Sequence, residues 1–118
     1  MIAALWKPVQ RDAGRHYTWG GDNDGWHLLQ RHDLSVIAEH VAPGGREQRH
    51  HHGHARQFFY IVSGRAVIEL AGREVALAAG QGLEIPPGLP HRFSNPFDEA
   101  VDFLVVSQPS TRGDRTDD

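Results

Sequence analysis

The chain contains no cysteine. That excludes a disulfide framework and any thiolate site, so a bound metal would have to be held by nitrogen and oxygen donors. Long apolar runs are missing as well. Nothing approaches the roughly 18 consecutive apolar residues of a membrane-spanning helix, and the stretch from Met1 to Val9 lacks the apolar centre of a signal peptide. These absences lead us to expect a soluble chain retained in the cytoplasm, with no membrane partner. There is no excess of positive charge: 12 Lys and Arg stand against 15 Asp and Glu, a net charge of −3, with the two signs interspersed. That argues against a nucleic-acid partner, since no basic footprint for a phosphate backbone is present. A sustained helical stripe is absent too, and nothing before Leu34 resembles a helix-turn-helix.

What remains is a pattern of short strands in a chain of 118 residues, enough for one domain with one closed core. Leu34 to Val41 is rich in β-favouring residues and is stopped by Pro43, Gly44 and Gly45. Phe58 to Val62 and Ala66 to Leu70 read as a hairpin turning at Gly64. Val75 and Leu77 share a face of the next strand, and Val101 to Ser107 forms a strong last one. Breaks recurring about every eight residues argue for an all-β sandwich or barrel. The expected organisation is an N-terminal arm over 1–33 with short strands packing on the barrel, a barrel over 34–108, and a flexible polar tail over 109–118.

Histidine is the unusual entrant, with nine residues, of which His50, His51, His52 and His54 fall within five positions. Alternation along a strand turns residues two apart to one face, so His50 and His52 point together and His51 points away. His91 follows a rigid turn of Pro86, Pro87, Gly88 and Pro90, far enough downstream to lie on another strand. Three imidazoles of this kind would leave coordination positions open on a metal. The alternative pair His52 and His54 has the same parity, which keeps His54 open as a neighbour of the site. His16, His27, His32 and His40 are read as surface or hydrogen-bonded residues.

The spacing Gly44, five residues, His50, one residue, His52, four residues, Gln57, six residues, Gly64 resembles the first motif of the cupin superfamily, matching it at four of five fixed positions. Gly80, five residues, Pro86, one residue, Gly88, two residues, His91, three residues, Asn95 resembles the second motif at all five. The resemblance spans roughly Leu34 to Gln108 and is similar to that of compact single-domain members of the cupin-2 type. It implies a double-stranded β-helix, the jelly-roll barrel. It also implies one divalent transition metal, zinc, iron, nickel, manganese or copper, on His50, His52 and His91, with Gln57 in the place of the family's usual glutamate. An amide oxygen can coordinate but is neutral, so hard ions such as Mn²⁺ should be held less well.

Parity from Gln57 turns Phe59 and Ile61 inward, and Phe59 with Phe93 is expected to form an apolar wall beside the metal. Asn95 is read as fixing the turn after its strand. No residue is marked as a general acid or base. The barrel hosts oxygenases, isomerases, cyclases, sensors and storage proteins, so the expected function is a metal-dependent enzyme acting on a small organic molecule, with a non-catalytic binding or sensing module as the rival. Exposed strand edges, one of them open to the arm of a second copy, lead us to expect a homodimer.

Overall fold

A computed structural model describes residues 6–118 of the chain. Among the described residues eleven strands follow a 3₁₀ turn at Arg11–Ala13: β1 (Arg15–Trp19), β2 (Asn23–Gln30), β3 (Ser35–Val41), β4 (His50–His51), β5 (Arg56–Ser63), β6 (Arg65–Leu70), β7 (Arg73–Ala78), β8 (Gly82–Ile85), β9 (His91–Ser94), β10 (Val101–Gln108) and β11 (Thr116–Asp117). They form a six-stranded sheet in the order β1-β2-β3-β10-β5-β8 and a five-stranded sheet in the order β11-β4-β9-β6-β7. This is the all-β, double-stranded β-helix expected from the sequence. Among the described residues no helix is long and apolar enough to cross a membrane.

Alternation decides what each sheet presents to the other. Gln57, Phe59 and Ile61 of β5 and Val101, Phe103, Val105 and Ser107 of β10 are buried, while Phe58, Tyr60 and Val62 face outward and stay exposed. Phe59, Phe93 and Phe103 stack across the gap between the sheets, with the Phe93 and Phe103 ring centres 4.0 Å apart. Aromatic contact of this kind adds to the burial of apolar area that holds the sheets together. The β5–β6 hairpin turns at Gly64, where φ is +84° and a Cβ would meet the Ala100 carbonyl oxygen at 2.5 Å. Only glycine satisfies both conditions.

Both ends of the chain carry strands that join the sheets. β1 and β2 are antiparallel neighbours that extend the large sheet, in register from Arg15 opposite His27 to Trp19 opposite Asn23. Gly25 lies inside β2, where a Cβ would strike the Tyr17 ring. Its role is to make room for that ring. The segment over 109–118 carries the last strand. β11 pairs with β4, and the Asp114 carboxylate accepts hydrogen bonds from the backbone N–H groups of Gly53, His54 and Ala55 at 2.9 to 3.2 Å. Burial opposes ionisation of Asp114, but these N–H donors outweigh it and hold the carboxyl below its usual range.

Candidate metal centre

β4 and β9 are antiparallel, and His50 and His91 are direct cross-strand partners. Opposed residues on one face of such a pair hold their side chains against each other. His52, two residues beyond His50, returns to the same face and is likewise buried. One ring nitrogen from each of the three lies within 4.8 Å of the other two. The turn before β9 sits against this group, because the Gly88 N–H donates to the His52 carbonyl at 2.7 Å.

Hydrogen bonds determine which nitrogen each ring offers. The Nδ1–H of His50 donates to the Gln48 carbonyl at 2.7 Å, that of His52 to the Asp114 carbonyl at 2.7 Å, and that of His91 to the Leu89 carbonyl at 2.9 Å. A carbonyl can only accept, so the proton is on Nδ1 and the lone pair is on Nε2 in all three rings. Burial lowers the pKa of each imidazole, in His50 to about 4, so all three are neutral at neutral pH. Gln57 arrives from the opposite sheet and donates through Nε2 to Ser107 Oγ at 3.2 Å. Its Oε1 and His91 Nε2 are buried with no hydrogen-bond partner among the described residues. A buried acceptor without a donor is costly, and a cation between these atoms would remove the cost. The donor set therefore fits a divalent metal with three neutral nitrogens and one neutral oxygen.

The structure brings His50, His52 and Gln57 into the lining of one cavity of about 130 Å³, with Phe59 and Phe93 on its apolar wall. The Phe59 and His91 ring centres are 6.3 Å apart. His54 is exposed and stands apart from the group. Asn95 is fully buried and bonds to the Val41 and Glu99 carbonyls and the Phe97 N–H, which ties the turn after β9.

Sequence reading missed the four charged or ionisable residues that join the histidines in the lining: Tyr17, Glu39, Glu47 and Arg115. Burial raises the Glu39 pKa to about 8, with the Glu47 charge adding to it and the Trp19 hydrogen bond opposing it. Trp19 Nε1–H donates to Glu39 Oε1 at 2.9 Å. Burial also raises Glu47 to about 7, against the pull of the Phe93 N–H. Tyr17 is pushed upward by burial and by the two carboxylates. Glu39 could have been found by parity, since it shares the β3 face of Ile37 and Val41. Arg115 lies in the tail and carried no local signal.

A β-barrel that gathers three Nε2 lone pairs and an amide oxygen around one point belongs to the class of barrels able to hold a metal, and comparison with known proteins gives that class a family. The profile of the Cupin domain matches residues 38–107. The chain belongs to the cupin family. It is 44% identical over 69 residues to a protein named polyketide synthase CurC from Streptomyces cyaneus, a match covering 58% of this chain and 45% of that relative. The matched stretch thus spans less than half of the relative's length. Among solved structures, a double-stranded β-helix protein from Klebsiella pneumoniae subsp. pneumoniae superposes with a TM-score of 0.78 at 23% identity, covering 93% of this chain and 95% of the other. The polyketide cyclase RemF from Streptomyces resistomycificus superposes with a TM-score of 0.77 at 22% identity, covering 88% and 80%. At these identities the two superpositions establish the fold alone.

Gln57→Glu tests the fourth donor. If Gln57 ligates, the added negative charge should shift metal preference toward harder ions, Mn²⁺ over Zn²⁺, by about tenfold in relative affinity. Competition against a chelating dye measures it, and unchanged preference would remove Gln57 from the ligand set.

Proposed function

We propose that this chain is a metal-dependent cupin enzyme of the cyclase type, closing a ring in a small poly-β-keto substrate. The observation that carries the reading is one cavity lined both by His50, His52 and Gln57 of a neutral donor set for a divalent ion and by a carboxyl, Glu39, with its pKa near the working range. The name of the CurC relative supports the substrate class. With no anionic ligand to offset it, an ion on His50, His52, His91 and Gln57 would keep its full charge and supply Lewis acidity toward a carbonyl oxygen.

The chain's own residues would do the rest. Glu39, as the carboxylate, takes the proton from a methylene group between two carbonyls. The carbon left with the electron pair forms a bond to a second carbonyl carbon of the same molecule, whose oxygen takes up a proton. Loss of that hydroxyl with a neighbouring hydrogen as water then completes the ring. No oxidant enters the balance. Trp19 holds Glu39 in place, and Phe59, Phe93 and Phe103 present an apolar wall that keeps bulk water from the folded substrate.

Metal-loaded protein incubated with a synthetic linear tetraketide should release one water per molecule, read by mass spectrometry. Glu39→Gln should slow this by about a hundredfold or more and abolish a rise in rate toward pH 8. The same variant has a stability signature. Because the folded chain keeps the Glu39 proton from the ordinary value of 4.5 up to about 8, it binds more protons than the unfolded chain over that interval, and wild-type stability falls as pH rises through it. Glu39→Gln should lose that slope. A tetraketide that binds and is recovered unchanged would replace the enzyme with the non-catalytic binding module. Turnover untouched by Glu39→Gln would remove Glu39 as the base.

A further inference from the structure

A second cavity, of about 1110 Å³, is lined by residues of β1, β2 and β3, of the β2–β3 turn and of the segment just after β10. Tyr17, Ile37 and Thr111 line both it and the metal cavity, so the two spaces share a wall and form an outer and an inner chamber. Their chemistry differs sharply. The inner chamber carries Glu39 and Glu47 beside one guanidinium, Arg115, whereas the outer one has Arg15, Arg31 and Arg112 on its lining and no aspartate or glutamate at all.

In a chain with more acidic than basic residues, a carboxylate-free chamber with three guanidiniums is a local reversal of charge. None of the three is in an ion pair among the described residues, although Arg11, Arg49, Arg56 and Arg115 each reach a carboxylate. They also come from three separate places in the sequence, β1, the β2–β3 turn and the C-terminal segment, and converge only through the fold. Guanidiniums around a concavity are suited to carboxylate and phosphate oxygens, which they bind in bidentate fashion.

We propose that the outer chamber is an anion subsite, in which Arg15, Arg31 and Arg112 hold a carboxylate or phosphate group at one end of an elongated ligand while its other end reaches the inner chamber. Anion binding stands on the geometry of the outer chamber. The assignment of that anion to the substrate rests on the cyclase reading above. The occupant is a small organic anion rather than a macromolecule, because the guanidiniums line a concavity that shares Tyr17, Ile37 and Thr111 with the much smaller metal cavity.

Two arms test this. In the first, metal-free His50→Ala, His91→Ala protein, which cannot take phosphate on a metal, is titrated with inorganic phosphate at constant ionic strength and followed by NMR. Saturable shifts at Arg15, Tyr17 and Arg112 are expected, with affinity weakened about tenfold by Arg15→Gln and by Arg112→Gln, the loss of one charge-assisted contact. Arg112→Lys, which keeps the charge and loses the fork, should recover part of it. A response that does not saturate, or that the arginine variants leave unchanged, overturns the subsite. In the second arm, the metal-loaded protein is given the tetraketide acid and its methyl ester. The ester should show a KM about tenfold higher at unchanged kcat, and Arg15→Gln should erase the difference. Equal KM values with phosphate binding intact would overturn the substrate assignment and leave the anion site. Absence of turnover for both would defeat the cyclase reading while the first arm still decides the subsite.

Discussion

Protein purified without chelators or a metal-affinity tag is expected to carry close to one divalent transition ion per chain, and the His50→Ala, His91→Ala variant to carry about a tenth of that or less. Both side chains are buried, direct partners across β4 and β9, and offer Nε2 to the same point. Removing two of three imidazoles leaves His52 and the neutral amide of Gln57, too few donors to compete with water. His54→Ala is the control, since His54 is exposed and lies outside the group. Elemental analysis reads the result, with circular dichroism confirming that the variant still folds. Wild-type protein that holds no metal and takes up none when each ion is added would sink the site, and the proposed enzyme with it. Identification of the ion would also divide the chemistry: zinc fits Lewis-acid ring closure, whereas iron or copper would open oxidative routes.

The second large effect is expected from Asp114→Ala, a residue that touches no metal. Asp114 ties the chain at two points: its carboxylate caps the N–H groups of Gly53, His54 and Ala55, and its carbonyl accepts the Nδ1–H of His52. Loss of the carboxylate, which is partly open to water, should cost about 1–2 kcal/mol of stability. As the tail loosens, the carbonyl that orients His52 moves, and metal affinity should fall by about 10- to 100-fold. Chemical denaturation and dye competition measure the two effects separately. Lower stability with unchanged affinity would reduce the tail to a structural strap. The pH dependence follows from the lowered pKa of Asp114: its stabilising contribution is present above its ordinary value of 3.8 and is lost as pH falls through the depressed one.

The parts of this molecule legible in its sequence are those written in local alternation or fixed spacing. β3, β5, β6 and β10 follow from short runs of β-favouring residues bounded by turn residues, and the inward parity of Gln57, Phe59 and Ile61 follows from alternation along a strand. The three histidines were legible because the turn glycines and prolines around them occupy set positions. The tail was not, because the partners of Asp114 are backbone N–H groups 59 to 61 residues upstream, and no pattern of side chains marks them. β2 was obscured by Gly25, whose purpose is known only once Tyr17 stands opposite it. Glu39 was hidden by a different mechanism. A carboxyl in a strand is ordinarily solvated, and only closure of the barrel turns it into a buried acid.

The contact between Trp19 and Glu39 has an optical consequence. Of the chain's three tryptophans, Trp6 is 78% exposed and Trp26 is stacked on His16, whereas the Trp19 indole lines the inner chamber and donates its N–H to Glu39. Indole emission is sensitive to neighbouring charge and to water, so the ionisation of Glu39 and the arrival of any occupant should both change the fluorescence of one side chain. The protein carries its own reporter, placed where the chemistry would occur and separable from the other two indoles by Trp6→Phe and Trp26→Phe.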